Sequence, residues 1–179
     1  MKRKEFLKRK IDSYLKKEQL SRNQEHKKLE KPYLLKARKS YSIGNLLFGI
    51  SESDEIRKIL KLADNFDAYD WATIVAYYSM YASALAAIAK LGFKSKSHAA
   101  TISVLELNYV QNKDLEIKDI QKLEQAHAIS EDLINKLIKT KTKRETTQYN
   151  ATASISRENA KTALEDAEEF ISKIEEILS

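Results

Sequence analysis

The stretch that decides the fold is WATIVAYYSMYASALAAIA, residues 71–89, which contains no charged residue. Its apolar positions follow the i, i+3, i+4, i+7 spacing of one helical face, starting with Trp71, Ile74, Val75 and Tyr78. The opposite side is also apolar, so we expect a helix that several neighbouring helices cover. Seven Ala residues make the stretch weakly hydrophobic for a membrane span. We therefore predict a central bundle helix over residues 70–91 and no transmembrane segment.

The composition of the whole chain favours the same fold class. The 179 residues include only 3 Gly and 1 Pro, and sheets with tight turns usually need more of both. We predict an all-α fold, an antiparallel bundle of four to five helices, and no strand. The chain has no Cys, which excludes disulfides and Cys-ligated metals and fits a cytoplasmic location. The basic N-terminus lacks the apolar run of a secretory signal.

Apolar periodicity and capping signals place the remaining helices. Ser53, Ser156 and either Ser95 or Ser97 are expected N-caps. Gly49 is expected to end the second helix, and Gly92 to close the central one as its C′ residue. The predicted helices on either side of the central one span residues 3–22, 32–48, 54–64, 97–110, 117–142 and 157–178.

Charge is distributed unevenly along the chain. Residues 1–39 contain 15 Lys and Arg against 5 Asp and Glu, whereas the remaining 140 residues contain 17 against 21. This asymmetry indicates a basic helical arm, residues 1–30, added to a bundle over residues 31–179. The arm has four interpretations: contact with a nucleic-acid backbone, adsorption to an anionic membrane, docking on an acidic partner, and cover for the acidic faces of its own bundle.

Three segments in this order resemble one known family. They are YYSMYASALAAIAKLGFKSKSH at 77–98, Arg144 followed by Tyr149 after a long helix, and ENAKTALEDAEEFISKIEEIL at 158–178. Together they resemble the HEPN family (higher eukaryotes and prokaryotes nucleotide-binding domain), in the prokaryotic branch with an Arg–Tyr element. The resemblance covers residues 32–178.

The resemblance implies a helical bundle that forms a homodimer. It also implies function, since many members are metal-independent endoribonucleases of toxin type, paired with a nucleotidyltransferase antitoxin. Their motif is Arg followed after four to six residues by His. Here Tyr149 follows Arg144 after four residues, and no His occurs in 144–160. The resemblance therefore implies RNA or nucleotide binding, and leaves open both a ribonuclease and a non-catalytic module that binds a nucleotidyltransferase or another protein.

The candidate site residues follow from the chemistry of RNA cleavage. Arg144 suits a phosphate because its planar fork grips two oxygens, whereas Tyr149 is a poor base and a better hydrogen-bond donor or stacking partner. Each also has a purely structural interpretation, as a helix-end cation and a half-buried anchor. His98 matches the His of the family's Gly–basic–His element and is the candidate for the missing proton transfer; its alternative role is a helix cap.

Four lysines complete the predicted site. Lys94 and Lys96 precede His98 at a helix start, where an anion is favoured. Lys141 and Lys143 precede Arg144, and all four are candidate RNA contacts. The histidines at 26, 98 and 127 show no metal-ligand spacing, so neither a metal nor a cofactor is predicted. The acidic pairs Glu168–Glu169 and Glu175–Glu176 are interpreted as a solvated helix face.

Overall fold

The computed structural model describes residues 2–143 and 155–179, and it describes their side chains except those of 136–143. These residues form a helical bundle, which confirms the predicted all-α class. The α-helices are α1 (Lys2–Lys16), α2 (Glu30–Glu52), α3 (Asp54–Ile59), α4 (Tyr69–Lys90), α5 (His98–Leu105), α6 (Ile117–Lys143) and α7 (Arg157–Leu178). A 3-10 helix spans Gln24–Leu29, and a π-helical turn, Glu106–Val110, follows α5 directly.

Helix α4 is the centre of the bundle. Neighbouring helices bury 14 of its 22 residues, many of them Ala with no exposed surface. By length and composition this helix could cross a membrane, but 78% of its most apolar window is buried in the protein, as in a core helix. Small side chains on several faces let α2 and α7 pack close, which is the arrangement that the sequence predicts.

The four long helices α2, α4, α6 and α7 alternate in direction. The start of α4 lies beside the end of α2, where the Ala68 N–H donates to Ser51 Oγ at 2.8 Å. The ends of α4 and α7 lie together, since Lys90 Nζ donates to the Leu178 carbonyl at 2.7 Å. Consecutive long helices are therefore antiparallel, and α7 runs parallel to α4.

The acidic pairs of α7 are not merely a solvated face, and that prediction is wrong in this respect. Arg38 of α2 donates to Glu168 at 2.8 Å and to Glu175 at 2.8 and 2.5 Å. Glu175 and Glu168 raise the pKa of the Arg38 guanidinium further above its ordinary value. These carboxylates thus join α7 to α2, because an Arg fork binds two acceptors in fixed geometry.

A second set of charges joins α6 to α7. Lys122 of α6 lies 2.7 Å from both Asp166 and Glu169, and Lys173 lies 2.6 Å from the buried Asp119. Hydrogen bonds from Lys122 and Lys173 lower the pKa of Glu169 to about 2. The rows of charge on α7 therefore fix its position against both neighbouring helices.

The N-terminal region departs most from its prediction. The expected helix over 3–22 ends at Lys16, and Leu20–Arg22 (β1) pairs antiparallel with Phe93–Ser95 (β2), with Ser21 opposite Lys94. The prediction of no strand is therefore wrong for this two-stranded ribbon. The helix ends because Glu18 adopts a left-handed conformation, φ 54°, and the Gln19 N–H donates back to the Tyr14 carbonyl, as in a Schellman motif.

Several helix ends were predicted correctly. Ser53, Ser97 and Ser156 each accept a hydrogen bond from the backbone N–H three residues later, so all three are N-caps. Gly92 has φ +81°, and a Cβ there would lie 3.1 Å from the Asn23 carbonyl, so the position needs Gly. Gly49, in contrast, does not end α2, which continues to Glu52.

Helix α1 packs on the bundle through one side. Leu7 and Ile11 are buried, and the Arg3 guanidinium donates to the buried Glu106 of the π-helical turn at 2.6 Å. The N-terminal region thus contacts the element that begins with His98, both through α1 and through the ribbon.

Candidate functional site

Three tyrosines of α4 form the base of the candidate site. The rings of Tyr77 and Tyr81, one turn apart, stack with centroids 5.9 Å apart, and Tyr78 lies 5.2 Å from Tyr77. Burial raises the pKa of both Tyr77 and Tyr81. Their hydroxyls therefore stay protonated at neutral pH and cannot act as bases. Tyr78 differs, because 44% of it is exposed.

His98 begins α5 and packs against this base. Its ring lies 6.1 Å from that of Tyr77 and 5.7 Å from that of Tyr81. Both ring nitrogens are buried, and within the described part of the chain neither has a hydrogen-bond partner. Burial, with a smaller effect of His127, lowers the pKa of His98 to about 4. The ring is therefore neutral at pH 7, and it is not a general acid there.

His127 of α6 packs against His98, a contact that the sequence did not predict. Its ring stacks on that of His98 with centroids 4.0 Å apart and meets the Tyr77 ring edge-on at 5.3 Å. Its side chain is 27% exposed, and Nδ1 lies 3.7 Å from the Glu131 carboxylate one turn later. The sequence places His127 at the edge of a helix, but nothing local to α6 indicates that it meets His98, 29 residues earlier.

The same face of α4 carries a second exposed aromatic residue. Trp71 lies seven residues before Tyr78, two helical turns or ~10.5 Å along the axis, and it is 52% exposed. Beside it, Asp70 accepts a hydrogen bond from the Ile155 N–H at 2.6 Å. Ile155, which lies just before α7, is therefore held at the start of α4.

Two of the predicted RNA contacts lie at the ribbon. Lys94 and Lys96 are exposed, and with Ser21 and His26 they line a shallow cavity of about 430 Å³ beside the end of α1. Ser21 Oγ and His26 Nε2 are 3.0 Å apart. Lys94 and Lys96 therefore lie beside residues of the N-terminal region, at the ribbon.

The remaining predicted site residues, Arg144 and Tyr149, lie outside the described residues, as do the side chains of Lys141 and Lys143. The backbone of α6 is helical from His127 to Lys143, which at 1.5 Å per residue is a rise of ~24 Å. His127 therefore lies ~24 Å along the helix axis from Lys143, the residue that precedes Arg144.

Comparison with known proteins identifies the fold. The family model of the HEPN domain matches residues 50–177, which is 128 of the 179 residues. The chain belongs to the HEPN domain family. The match contains the aromatic face of α4, His98 and His127, and it excludes α1, β1 and most of α2. No match was found among curated proteins.

Family membership describes this HEPN protein in general terms as a nucleotide- or RNA-related helical module. Within the described ranges, 2–143 and 155–179, no group of three or more His, Asp and Glu residues is arranged to hold a metal ion. The chemistry available at the α4–α5–α6 surface is therefore that of the partly exposed His127 imidazole near the Glu131 carboxylate, together with the exposed rings of Trp71 and Tyr78.

Proposed function

We propose that this HEPN protein binds single-stranded RNA along the α4 face that carries Trp71 and Tyr78, with His127 at its edge. The supporting observation is the exposure of these two aromatic rings on one face of a helix that is otherwise largely buried. Exposed aromatic rings are platforms on which bases stack, and stacking tolerates any base because every base has a π face. Arg144, on the family resemblance, would hold a phosphate, and Tyr149 would donate a hydrogen bond or stack.

We further propose that the bound RNA is cleaved without a metal, as in a toxin-type endoribonuclease. In such a reaction the ribose 2′-hydroxyl attacks the adjacent phosphorus, and the P–O5′ bond breaks. One group removes the 2′-hydroxyl proton, and another protonates the leaving 5′-oxygen, which yields a 2′,3′-cyclic phosphate and a 5′-hydroxyl. His127 is the histidine suited to proton transfer, because it is partly exposed and lies beside Glu131. His98 would position it as a neutral stacking partner.

The test is incubation of the purified full chain with a 5′-labelled single-stranded RNA in EDTA. We expect fragments that end in a 2′,3′-cyclic phosphate and that disappear with Arg144→Ala and with His127→Ala. His26→Ala is the matched control, since it removes an imidazole at the ribbon instead, and it should leave cleavage unchanged.

Three outcomes would contradict parts of this proposal. Intact RNA that is still bound would refute the ribonuclease and retain the binding function. RNA that is neither bound nor cut at low salt would refute both. Cleavage that survives His127→Ala but not Arg144→Ala would remove His127 from the chemistry.

The second candidate function is a non-catalytic interaction module. It is favoured by an exposed aliphatic face on α2 and α3. The most exposed side chains of this face are Leu35, Ile43, Leu46, Ile59 and Leu60, each at least half exposed. Gly49 of α2 also favours a partner at this face. Gly inside a helix costs about 0.5–1 kcal/mol relative to Ala, yet a Cβ at this position would meet nothing within 4 Å in the single chain.

We propose that this face binds a second copy of the chain. Leu35 and Leu46 lie eleven residues, three turns, apart on α2, so two antiparallel copies would place each against the other across a twofold axis. The exposed Lys31, Lys36 and Lys39 near the start of α2 would then approach the exposed acidic residues Glu52, Asp54 and Glu55 of the partner, near its end.

Sedimentation velocity tests this interface. We expect a dimer that Leu46→Glu dissociates and that Lys58→Glu, on α3, leaves intact. A protein that stays monomeric at all concentrations would refute the homodimer. The aliphatic face would then be a candidate binding surface for a different protein, such as a nucleotidyltransferase. A dimer unaffected by Leu46→Glu would place the interface elsewhere.

A further inference from the structure

The outer side of α1 is a separate basic surface that lies outside the region matched by the family model. Seven of the 15 residues in α1 are Lys or Arg, and two are acidic. Five of its exposed cations are Lys2, Lys4, Lys8, Arg9 and Lys10, and the exposed Phe6 lies among them in the sequence. We call these six residues the α1 basic face. We propose that this face binds the backbone and a base of single-stranded RNA.

The first argument is that few of these charges are neutralised within the protein. Among the described residues, only Lys8 of the face forms an ion pair, with Glu5 at 3.6 Å, and both side chains are more than half exposed. Arg3, which is not part of the face, pairs with Glu106. Helix α1 therefore does little to cover acidic groups of its own bundle, and the charges of the face remain available to phosphates.

The second argument concerns Phe6. This ring is 48% exposed, with the Arg3 guanidinium 5.7 Å and Lys10 Nζ 5.2 Å from its centroid. A half-exposed aromatic ring between cations is the combination with which proteins bind single strands, since the ring stacks on a base while the cations contact phosphates.

The third argument excludes a membrane as the better ligand. A helix that lies in a membrane interface inserts its apolar side about 5–10 Å into the lipid. The apolar side of α1, with Leu7 and Ile11, is instead buried against the protein, in a region that includes α5. On the exposed side of α1, only Phe6 could insert into a bilayer. The cations around it favour binding to the phosphates of a flexible single strand.

This inference rests on the proposed RNA function and adds to it a second contact surface. The test measures fluorescence anisotropy of a labelled 12-nucleotide oligouridylate as salt is raised from 50 to 200 mM. We expect the triple variant Lys4→Gln/Lys8→Gln/Arg9→Gln to reduce the slope of log affinity against log salt by about 2, since each phosphate contact on a single strand contributes about 0.7. The matched control Lys58→Gln/Lys118→Gln/Lys161→Gln makes the same change in net charge at exposed positions on α3, α6 and α7, and should leave the slope unchanged.

Phe6 gives an independent measurement. Phe6→Ala should weaken binding roughly 5- to 150-fold, the range that corresponds to the loss of one stacked base, whereas Phe6→Trp should retain affinity because it retains a π face. Retained affinity in Phe6→Trp also shows that the helix remains folded.

The outcomes separate this inference from the proposed function. Binding by the wild type that neither the α1 triple variant nor Phe6→Ala alters would overturn the α1 inference and leave the proposed function standing. Equal effects of the two triple variants would also overturn it, since they would show a general effect of charge. Absence of binding by the wild type would overturn both. Binding to vesicles of phosphatidylserine and phosphatidylcholine, without binding to RNA, would assign the face to a membrane.

Discussion

The imidazole rings of His98 and His127 stack with their centroids 4.0 Å apart and 20° between their planes. This stack joins the start of α5 to the middle of α6 over the tyrosines of α4. It buries both nitrogens of His98 and leaves part of His127 accessible. The two rings therefore lie in different environments, since the protein encloses the nitrogens of His98 and leaves part of His127 open to a ligand.

The buried ring makes stability depend on pH. The pKa of His98 is about 4 in the folded protein, against an ordinary value of 6.5. Between these values the unfolded chain binds more protons, so the free energy of unfolding falls as pH decreases through this range. We expect His98 to contribute a loss of about 1–2 kcal/mol between pH 7 and pH 5, after allowance for its partial exposure. Urea denaturation of the wild type and of His98→Phe at pH 7 and pH 5 measures this loss of stability.

His98→Phe should lose less stability than the wild type over this interval. It should be as stable as the wild type at pH 7 or more so, because it removes two buried nitrogens that have no hydrogen-bond partner among the described residues. His26→Gln, at the ribbon, is the control and should keep the wild-type loss. The same pH dependence in His98→Phe and the wild type would show that His98 is not responsible.

Three helix ends contain a residue in an unfavourable conformation. Glu18, Lys61 and Lys113 have φ values of 54°, 55° and 68°. A side chain in the left-handed region costs about 1–2 kcal/mol relative to Gly, so Glu18→Gly should raise the free energy of unfolding by about 1 kcal/mol. Lys16→Gly, in the last turn of α1, should lower it by a similar amount. Thermal denaturation of the two variants shows whether each substitution raises or lowers the stability. A loss of stability in Glu18→Gly would contradict the assigned helix end.

Two glycines of α2 have opposite roles. A Cβ on Gly44 would lie 2.8 Å from Cδ2 of the buried Leu164, whereas one on Gly49 would meet nothing within 4 Å. We expect Gly44→Ala to destabilise the protein by about 1–3 kcal/mol, since the packing of α2 on α7 must shift. Gly49→Ala should stabilise a monomer by about 0.5–1 kcal/mol. Equal effects of the two substitutions in urea denaturation would contradict this packing.

The buried carboxylate of Asp119 depends on Lys173. Asp119 is 2% exposed, and Lys173 Nζ lies 2.6 Å from Oδ1. Lys173→Met would leave a buried charge without its cation, at a cost of about 2–4 kcal/mol at pH 7. Lys161→Met, on the same helix but largely exposed, should change the stability by less than about 0.5 kcal/mol. Similar losses in the two variants would show that Asp119 is stabilised in another way.

Most of the fold could be predicted because local rules determine it. The apolar faces of α4 and α7 and the caps at Ser53, Ser97 and Ser156 depend on residues within one or two turns. The end of α1 was missed because the rule for helix termination expects Gly, and Glu18 occupies that position. The ribbon was missed because a strand of three residues has no detectable period, and its pairing joins segments about 70 residues apart.

The candidate site was predictable only in part, for the same reason. His98 was predicted as a site residue from its place at a helix start after two lysines, and its role stays a prediction. The stacking of His127 on His98 was not predicted, because it comes from tertiary packing rather than from the neighbours of His127 in α6. Similarly, the sequence around Glu168 and Glu175 indicates a solvated helix face, because it does not show that Arg38 of α2 binds both carboxylates.

The central claim is that the exposed aromatic face of α4 binds single-stranded RNA, and the most direct measurement is the affinity for a labelled single strand in EDTA at about 50 mM salt. We predict that wild-type protein binds and that Trp71→Ala/Tyr78→Ala weakens binding at least tenfold. Trp71→Phe/Tyr78→Phe should bind nearly as well as the wild type, and Ile59→Ala, an exposed aliphatic change on α3, should have no effect. Binding that is equal in the wild type and in Trp71→Ala/Tyr78→Ala, or no binding by either, would contradict the claim.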